Sequence, residues 1–549
     1  MKKMQKLFTL ALVLIMVLSM AAPVMAAGSY YTITITNPNT GSSADHKYEA
    51  YQIFAGSLAS DGVTLTSITW GEAIDGDAFL AALKADETFG AGASNLFSHC
   101  LTAAEVAEVV AAPSFNTVTY TQRFAELAND NLKADAAHYD SDETDSPYYI
   151  EIPTEKAGYY LIKDKDGSLD GLENKDYTQF ILRISRDVSV QHKGSIPTID
   201  KQVSNSQNTG YTEAIDTAMA TTYYYKLTGT MPSDLGRYDS YLYWMTDTMS
   251  AGIDFGEVLE VYIDRRAGGE DTPLVKDVHY TLTVTEVDSN SDGVKDNTVL
   301  EIKFEDLKKD FDGNGTGNDL AVHNEDKIIV VYSATLNENA IIAGSGNENT
   351  VTLKYSNNPN GGGEPGITPP DNTKVYSFKL KVVKVDNANH SLVLPGAEFV
   401  LYREIGAENE YAIITDGKVT GWTKVKADAT KVTTGADGTL AVDGLAASTY
   451  FLEETKAPDG YELLLEPIKV VVKATYTESV VTGMTVETDA MGGGVADPAT
   501  GTVTITVVNY KGNVLPETGG MGTTMFYLAG SAMAIGAVVL LITKKRMSE

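Results

Sequence analysis

Cysteine is almost absent from this sequence. Its 549 residues include only Cys100, so the chain cannot form an internal disulfide. Basic residues are also scarce, with 42 Lys and Arg against 74 Asp and Glu and a formal net charge of −32 at pH 7. Because the basic residues cluster only at the two ends, this balance argues against nucleic-acid binding and fits a solvated extracellular surface.

Motifs of metal, cofactor or hydrolase chemistry are missing as well. The 7 His residues are scattered and form no HExxH pattern, and there is no GxSxG elbow or phosphate-cradling loop. Two acidic turns, at 288–296 and 310–319, resemble parts of calcium loops. However, position twelve counted from Asp288 is Val299 rather than Glu, which favours a solvated turn and leaves calcium as the alternative. We therefore expect no cofactor, no metal and no enzyme active site.

Long apolar runs occur only at the two ends of the chain. Residues 1–26 place three lysines before an apolar stretch from Leu7 to Leu18 and end in Val-Met-Ala, which is typical of a secretory signal peptide. The second apolar run covers about 525–542 and is followed by Lys-Lys-Arg at 544–546. Its length and basic end predict a segment that holds the precursor in a membrane.

Between these ends the sequence alternates apolar and polar residues and is rich in Thr, Val, Ile and Tyr, a pattern typical of β-strands. Only "GDAFLAALKADETF" (76–89) and "TYTQRFAELANDNLKADAAHY" (119–139) look helical. The predicted fold is mainly β, with tandem immunoglobulin-like β-sandwich domains, the first of which carries helical insertions.

Two breaks divide the chain. "NNPNGGGEPGITPPDNTK" concentrates Gly and Pro and predicts a linker, and "QHKGSIPT" is a shorter interruption. The predicted units are the signal peptide 1–26, a first domain 27–194, a middle domain 195–360, a linker 361–371, a third domain 372–512 and a tail 513–549.

Three polar residues of the third domain share the parity of core residues. In "FKLKVVKVD" the inward positions continue to Lys384, in "TYFLEETK" they continue to Glu454, and in "TVTITVVN" they continue to Asn509. An unpaired buried charge is costly, so three such residues in one domain ask for a joint explanation.

The middle domain repeats this order of lysine, acid and asparagine. Lys201 in "IPTIDKQV", Asp247 in "YLYWMTD" and Asn357 in "TVTLKYSNN" each continue an apolar parity. The asparagine is an open choice, because Asn358 is adjacent and Asn349 lies on the same strand parity.

Burial can make such a lysine, acid and asparagine react with one another. It favours a neutral, nucleophilic lysine amine and a protonated acid, so the amine can attack the Asn carbonyl while the acid polarises it and ammonia leaves. The product is an intramolecular isopeptide bond between the first and last strands, which restricts the unfolded chain as a disulfide would. A buried salt bridge beside a hydrogen-bonded Asn is the structural alternative.

Several motifs carry a family resemblance. "YFLEETKAPDGY" resembles the E-box of Gram-positive pilins and of adhesins with Cna B-type domains, "TDTMSAGIDF" is similar to the acid-bearing segment of the Cna A-type domain of backbone pilins, and "LPETG" matches the sortase sorting motif. The resemblance covers essentially the whole chain and implies a major subunit of a sortase-assembled pilus. It implies isopeptide trios Lys201, Asp247, Asn357 and Lys384, Glu454, Asn509, with Asp247 and Glu454 as the promoting acids, and none in the first domain.

The sorting motif comprises Leu515, Pro516, Glu517, Thr518 and Gly519. The resemblance implies that a sortase thiolate cleaves between Thr518 and Gly519 and passes the threonyl group to an amine. The implied partners are a sortase, other copies of this chain, peptidoglycan, and in addition minor pilins and host surfaces. A single-span anchor with an accidental motif is the alternative.

The acceptor in backbone pilins is a lysine in a VxVYPK-like motif at the end of the first domain. Here "VSVQHKG" supplies both valines and Lys193, while Gln191 and His192 replace Tyr-Pro. Lys201 is the rival, but a lysine committed to the core cannot also accept a neighbouring subunit. The alternatives to a backbone subunit are a singly anchored adhesin or minor pilin, and a wall-anchored enzyme of unrecognised activity.

Overall fold

The computed structural model describes residues 30–36, 46–141, 146–169, 175, 177–192, 194–266, 268–288, 291, 293, 295–311, 319–342, 344–359, 364–512 and 522–547. Within these residues strands dominate and α-helices are confined to the first domain and the C-terminal tail, as the alternating pattern predicts. The sorting motif at 515–519 and most of the acidic turn at 310–319 lie outside the described residues, and the turn at 288–296 is described only at 288, 291, 293, 295 and 296.

The described part of the first domain combines two small sheets with three α-helices. One sheet has the order β5-β1-β8 and the other β3-β2-β6-β7, with β4 on β2. The elements are β1 Tyr30–Thr36, β2 Tyr48–Leu58, β3 Leu65–Trp70, α1 Gly76–Ala85, α2 Ala103–Ala111, α3 Val118–Asp130, β4 His138–Asp140, β5 Tyr148–Pro153, β6 Gly158–Asp164, β7 Gln179–Ile184 and β8 Val188–Gln191.

Local sequence explains the three helices. The Asp75 carboxylate caps α1 by accepting a hydrogen bond from the Ala78 amide, and Thr102 and Glu105 form a reciprocal capping box at the start of α2. Their apolar faces pack with Phe124 of α3 in an aromatic-rich core. The two predicted helices are present, although the second ends at Asp130 and does not reach 139; α2 was missed because its stretch is short.

The middle domain consists of two facing sheets. Their orders are β10-β20-β18-β12-β16-β15, with β19 on β18, and β14-β13-β17-β11-β9. The strands are β9 Thr198–Ser204, β10 Ala214–Asp216, β11 Tyr223–Thr230, β12 Tyr243–Ser250, β13 Ile253–Asp264, β14 Thr272–Pro273, β15 Thr281–Val287, β16 Asn297–Phe304, β17 Lys327–Leu336, β18 Asn347–Tyr355, β19 Gly366–Ile367 and β20 Asp371–Tyr376.

The predicted linker and the boundary at 371/372 are wrong. Strand β20 lies between β10 and β18 in the middle-domain sheet, with Asp371 opposite Val351 and Val375 opposite Asn347. The prolines that suggested a linker precede this strand, so they remove no donor from its ladder. The middle domain therefore extends to Tyr376, and the third domain begins with the next strand.

The third domain places its first strand beside its last. The sheet order is β29-β28-β27-β22-β23-β24-β26-β21-β31-β30, with β25 on β22, and β21 pairs in parallel with β31. The elements, with the tail helix, are β21 Phe378–Asp386, β22 Glu398–Ile405, β23 Glu408–Thr415, β24 Lys418–Thr423, β25 Val432–Thr433, β26 Thr439–Leu445, β27 Thr449–Lys456, β28 Ile468–Thr477, β29 Val480–Thr488, β30 Gly494–Asp497, β31 Thr502–Asn509 and α4 Gly522–Arg546.

The middle and third domains meet in a close junction. The Met219 amide donates to the carbonyl of Gly444, and the Asp216 carboxylate accepts hydrogen bonds from the Ala447 amide and the Tyr476 hydroxyl. Gly444 has φ +95°, and a Cβ there would lie 2.6 Å from the Met219 sulfur. Glycine thus provides both the backbone conformation and the space for this contact.

Candidate functional site

Three strands bring Lys384, Glu454 and Asn509 together in the core of the third domain. The Lys384 Nζ donates to Asn509 Oδ1 at 2.6 Å and lies 3.0 Å from Glu454 Oε1. Lys384 and Asn509 project from the neighbouring parallel strands β21 and β31, and Glu454 comes from β27. The structure therefore places all three predicted side chains in one contact cluster.

The surroundings of this cluster hold the asparagine amide in one orientation. Asn509 Nδ2 faces the two Glu454 oxygens at 3.3 and 3.4 Å and donates to the Glu462 carbonyl at 3.1 Å. The second Glu454 oxygen accepts from the Leu464 amide at 2.9 Å. This leaves Asn509 Oδ1 directed at the lysine, with the carboxylate beside both reacting groups.

Burial lowers the pKa of Lys384 and also that of Lys201, the corresponding lysine of the middle domain. Lys384 is fully buried, and the loss of solvation lowers its pKa to about 8, although the nearby Glu454 charge acts in the opposite direction. Burial likewise lowers the pKa of Lys201, against the charge of Asp247. Both amines are thereby moved toward the neutral, nucleophilic form.

The middle domain contains a second cluster built across its two sheets. Lys201 Nζ, from β9, lies 2.7 Å from each carboxylate oxygen of Asp247, which projects from β12 in the facing sheet. The Lys201 Nζ also donates to the Tyr332 hydroxyl at 3.1 Å, and that hydroxyl donates to Asp247 Oδ2. The predicted lysine and acid are thus in direct contact.

Asn349, rather than Asn357, completes the middle-domain cluster. Asn349 Nδ2 donates to the Tyr332 hydroxyl at 2.7 Å, so one phenol contacts the lysine, the acid and the amide. Asn357 follows β18 and lies six residues beyond the residue opposite Asp247, about 20 Å along the strand direction. Its carbonyl instead accepts from the Tyr177 amide of the first domain. The choice of Asn357 is therefore corrected to Asn349.

Tyr332 is a site residue that the sequence interpretation missed. It lies in "IIVVYSATL", on the same parity as Ile328 and Val330, and is fully buried. A second tyrosine, Tyr225, places its ring centroid 4.5 Å from Lys201 Nζ. A tyrosine on a core parity is usually only an apolar residue with a polar tip, and its partners on other strands are not visible in sequence.

One lysine of the first domain has related contacts but a different environment. Lys163 Nζ lies 3.0 Å from Asn129 Oδ1 and 3.0 Å from Asp166 Oδ2. The Asp166 side chain is 75% exposed, so water solvates its carboxylate. This contact set therefore lacks the buried acid that both other clusters have.

Two family models match the chain. The SpaA model, described as a prealbumin-like fold domain, matches residues 378–486, and the LPXTG cell wall anchor motif matches residues 507–549. The match starts at the first residue of β21, which agrees with the corrected domain boundary, and it includes Lys384 and Glu454.

Relatives of this chain are surface proteins and pilins of Gram-positive bacteria. The trypsin-resistant surface T6 protein of Streptococcus pyogenes serotype M6 is 27% identical over 272 residues, 40% of this chain and 48% of that protein. The chain thus spans about half the length of this curated relative. The resemblance to sortase-assembled backbone pilins is confirmed by these matches.

This chain is also similar to solved structures of major pilins. The T6 backbone pilin of serotype M6 Streptococcus pyogenes is 16% identical with a TM-score of 0.48, covering 89% of this chain and 100% of that chain. The full-length major pilin SpaD from Corynebacterium diphtheriae is 17% identical with a TM-score of 0.43, covering 88% and 98%.

The cell wall anchor agrees with the predicted location. Helix α4 contains a candidate span, Met525–Arg546, with mean hydropathy 2.2, which encloses the predicted apolar stretch 525–542. Together with the anchor match, it confirms a cell-wall-anchored surface protein whose precursor is held in the membrane. The signal peptide 1–26 lies outside the described residues.

The candidate acceptor Lys193 also lies outside the described residues, but its neighbours are described. In β8, Val188 and Val190 pack toward the core formed by Ile33 and Ile35, and the side chain of His192 is buried on the same parity. Ser189 and Gln191 face solvent. The even-numbered residues of this segment thus face inward up to the residue before Lys193.

Proposed function

We propose that this chain is the structural backbone subunit of a covalently polymerised surface pilus. The observation that carries the proposal is the combination of a sortase-type anchor with two buried lysine–acid–asparagine clusters in consecutive domains. The anchor supplies the signal for transpeptidation, and the clusters supply crosslinks within each subunit. A pilus shaft needs covalent bonds between subunits and within them, because it transmits tension through domains joined end to end.

Polymerisation uses the tail and a lysine of the next subunit. Sortase attacks the Thr518 carbonyl, the bond to Gly519 breaks, and the Gly519 amine leaves with the membrane segment. The Lys193 amine of another copy then takes the threonyl group and releases the enzyme thiol. An amine of the peptidoglycan takes the same group at the base of the shaft, and minor pilins and host surfaces are further partners.

The internal crosslinks form by the chain's own chemistry. In the third domain the Lys384 amine passes a proton to Glu454 and attacks Cγ of Asn509, with Glu454 then donating to the departing nitrogen. One C–N bond forms, one C–N bond breaks, and ammonia leaves. In the middle domain Asp247 serves Lys201 and Asn349 in the same way, with Tyr332 holding the amide beside the acid.

The positions of these bonds suit a protein under tension. Force enters a subunit near residue 193 and leaves at residue 518. Bonds from Lys201 to Asn349 and from Lys384 to Asn509 would carry that force across the middle and third domains, so most of the intervening strands bear little load. The hydrogen-bonded junction at Asp216 and Gly444 joins the two loaded domains.

Cell-wall extracts distinguish this function from a singly anchored adhesin or minor pilin. Wild-type cells should yield a ladder of high-mass species on a denaturing blot for this protein, because each added subunit is joined by an amide bond. A single band at the mass of one mature chain would instead support the singly anchored alternative.

Asparagine variants test the corrected assignment in the middle domain. Asn349→Ala should retain the ammonia that bond formation releases, because the amine has no amide to attack. Asn357→Ala and Asn358→Ala are the matched controls and should lose as much ammonia as the wild type. Intact mass of each purified chain gives the answer, and retention of ammonia in Asn357→Ala alone would overturn the assignment to Asn349.

A further inference from the structure

The first domain contains a buried cluster that neither polymerisation nor crosslinking uses. His46, two residues before the start of β2, lies with its Nδ1 2.6 Å from Oδ1 of Asp164 at the end of β6. His192, which follows β8, has its ring centroid 4.7 Å from that of His46. All three side chains are buried, and one ligand atom from each lies within 4.8 Å of those from the other two.

Two imidazoles and one carboxylate are a donor set that zinc prefers in proteins. Zinc–ligand bonds of about 2.0–2.2 Å place the donors of a tetrahedral site about 3.3 Å apart. Small side-chain rotations would bring atoms now 2.6 to 4.8 Å apart to that spacing. A divalent cation would also balance the negative charge of the buried Asp164 carboxylate.

Groups around the cluster orient the three candidate ligands. The other Asp164 oxygen accepts from the Thr178 amide at 2.7 Å, which fixes the plane of the carboxylate. The Tyr48 hydroxyl lies 2.9 Å from Nδ1 of His192, and the Tyr48 ring stacks on His46 with an interplanar angle of 6°. Such outer contacts are what hold metal ligands in their binding rotamers.

We propose that His46, Asp164 and His192 bind one divalent transition-metal ion, with Zn²⁺ as the best match. The ion would join the start of β2, the end of β6 and the end of β8. These three segments are distant in sequence, with His46 and Asp164 118 residues apart, so the ion would act as a crosslink in the domain for which the sequence predicts no isopeptide trio. It would also fix the backbone at the residue before Lys193.

A second group in the same domain provides a matched control. Glu49, His138 and Asp140 also place three potential ligands within 4.8 Å, but the side chains of His138 and Asp140 are 33% and 61% exposed. Solvated side chains lose more freedom and gain less on binding a cation than buried and oriented ones. We therefore expect zinc to bind the buried group and not this one.

The test uses the mature chain, without a histidine tag, after treatment with a chelator. Zn²⁺ should bind at one equivalent in a calorimetric titration and raise the unfolding temperature of the first domain. Co²⁺ should give the visible absorption of a four-coordinate site. His192→Gln and His46→Gln should each weaken Zn²⁺ binding by at least about tenfold, whereas His138→Gln should leave it unchanged.

The Zn²⁺ titration of the wild-type chain tests the proposed metal site even if a variant folds poorly. Failure of the wild-type chain to take up one equivalent of Zn²⁺ would overturn the proposal and leave the cluster as a hydrogen-bonded structural feature. Binding that is lost in His138→Gln but kept in His46→Gln and His192→Gln would overturn it as well. The folding control for all three variants is the circular dichroism of the metal-free chain, whose helical signal comes from α1, α2 and α3 of the first domain once the tail is removed.

Discussion

Replacement of Glu454 by alanine should leave Lys384 and Asn509 unjoined, so the variant should retain one ammonia that the wild-type chain loses. The carboxylate touches both reacting groups, at 3.0 Å from the amine and 3.3 Å from the amide nitrogen. Among the described residues, Glu454 is the titratable side chain in contact with both groups, so without it the buried amine loses its proton acceptor and the departing nitrogen its proton donor. Intact mass, corrected for the substitution, measures the effect.

The same variant should lose much of the stability of the third domain. The bond closes a loop of 125 residues, and removing such a closure costs about 4 to 5 kcal/mol. For a domain of this size that corresponds to a fall of on the order of 10–20 °C in the unfolding temperature. The buried, unpaired Lys384 adds to the loss.

Glu453→Ala is the matched control for Glu454→Ala. Glu453 is the preceding residue of β27, projects to the opposite face and pairs with Lys426 at the surface. An exposed pair of this kind contributes at most about 1 kcal/mol. Full ammonia loss in Glu454→Ala, or equal destabilisation by the two variants, would contradict the role given to Glu454.

Replacement of Lys193 by alanine should collapse the high-mass ladder of wall extracts to a single mature band. The acyl group on the sortase then has no acceptor on the next subunit and passes only to peptidoglycan. Expression, export and anchoring should continue, because the tail is unchanged. A denaturing blot of wall-released protein measures the change, which is close to all or none.

Two other lysines serve as controls for Lys193→Ala. Lys133 is an exposed lysine of the first domain, and Lys133→Ala should leave the ladder intact. Lys201 is fully buried against Asp247, so it cannot reach a neighbouring subunit. A normal ladder in Lys193→Ala would show that another lysine accepts the acyl group.

Strand parity predicted much of the candidate site from sequence. Lys384, Glu454, Asn509, Lys201 and Asp247 each interrupt an apolar alternation, and a strand cannot turn one residue outward without turning its neighbours. All five are buried where the parity places them. The sequence also predicted the mainly β fold and the membrane-held tail, because these follow from local pattern and length.

The remaining features depend on which strands become neighbours. Asn349 and Asn357 share one parity in the same segment, and only the register of β18 against β12 brings Asn349 to Asp247. Strand β20 adds to the middle-domain sheet although Gly and Pro precede it.

Contacts between distant segments are likewise invisible to local pattern. Tyr332 reaches its cluster from a strand 131 residues after Lys201. His46 and His192 look scattered along the chain until the fold brings them together.

Peptide mass mapping of wall-released polymer tests the central claim most directly. After digestion, the account predicts three branched species: Lys201 joined to Asn349, Lys384 joined to Asn509, and Thr518 of one subunit joined to Lys193 of the next. Each internal junction should be lighter than its two linear peptides together by one ammonia. Linear peptides alone, from a monomeric chain of unreduced mass, would contradict the account.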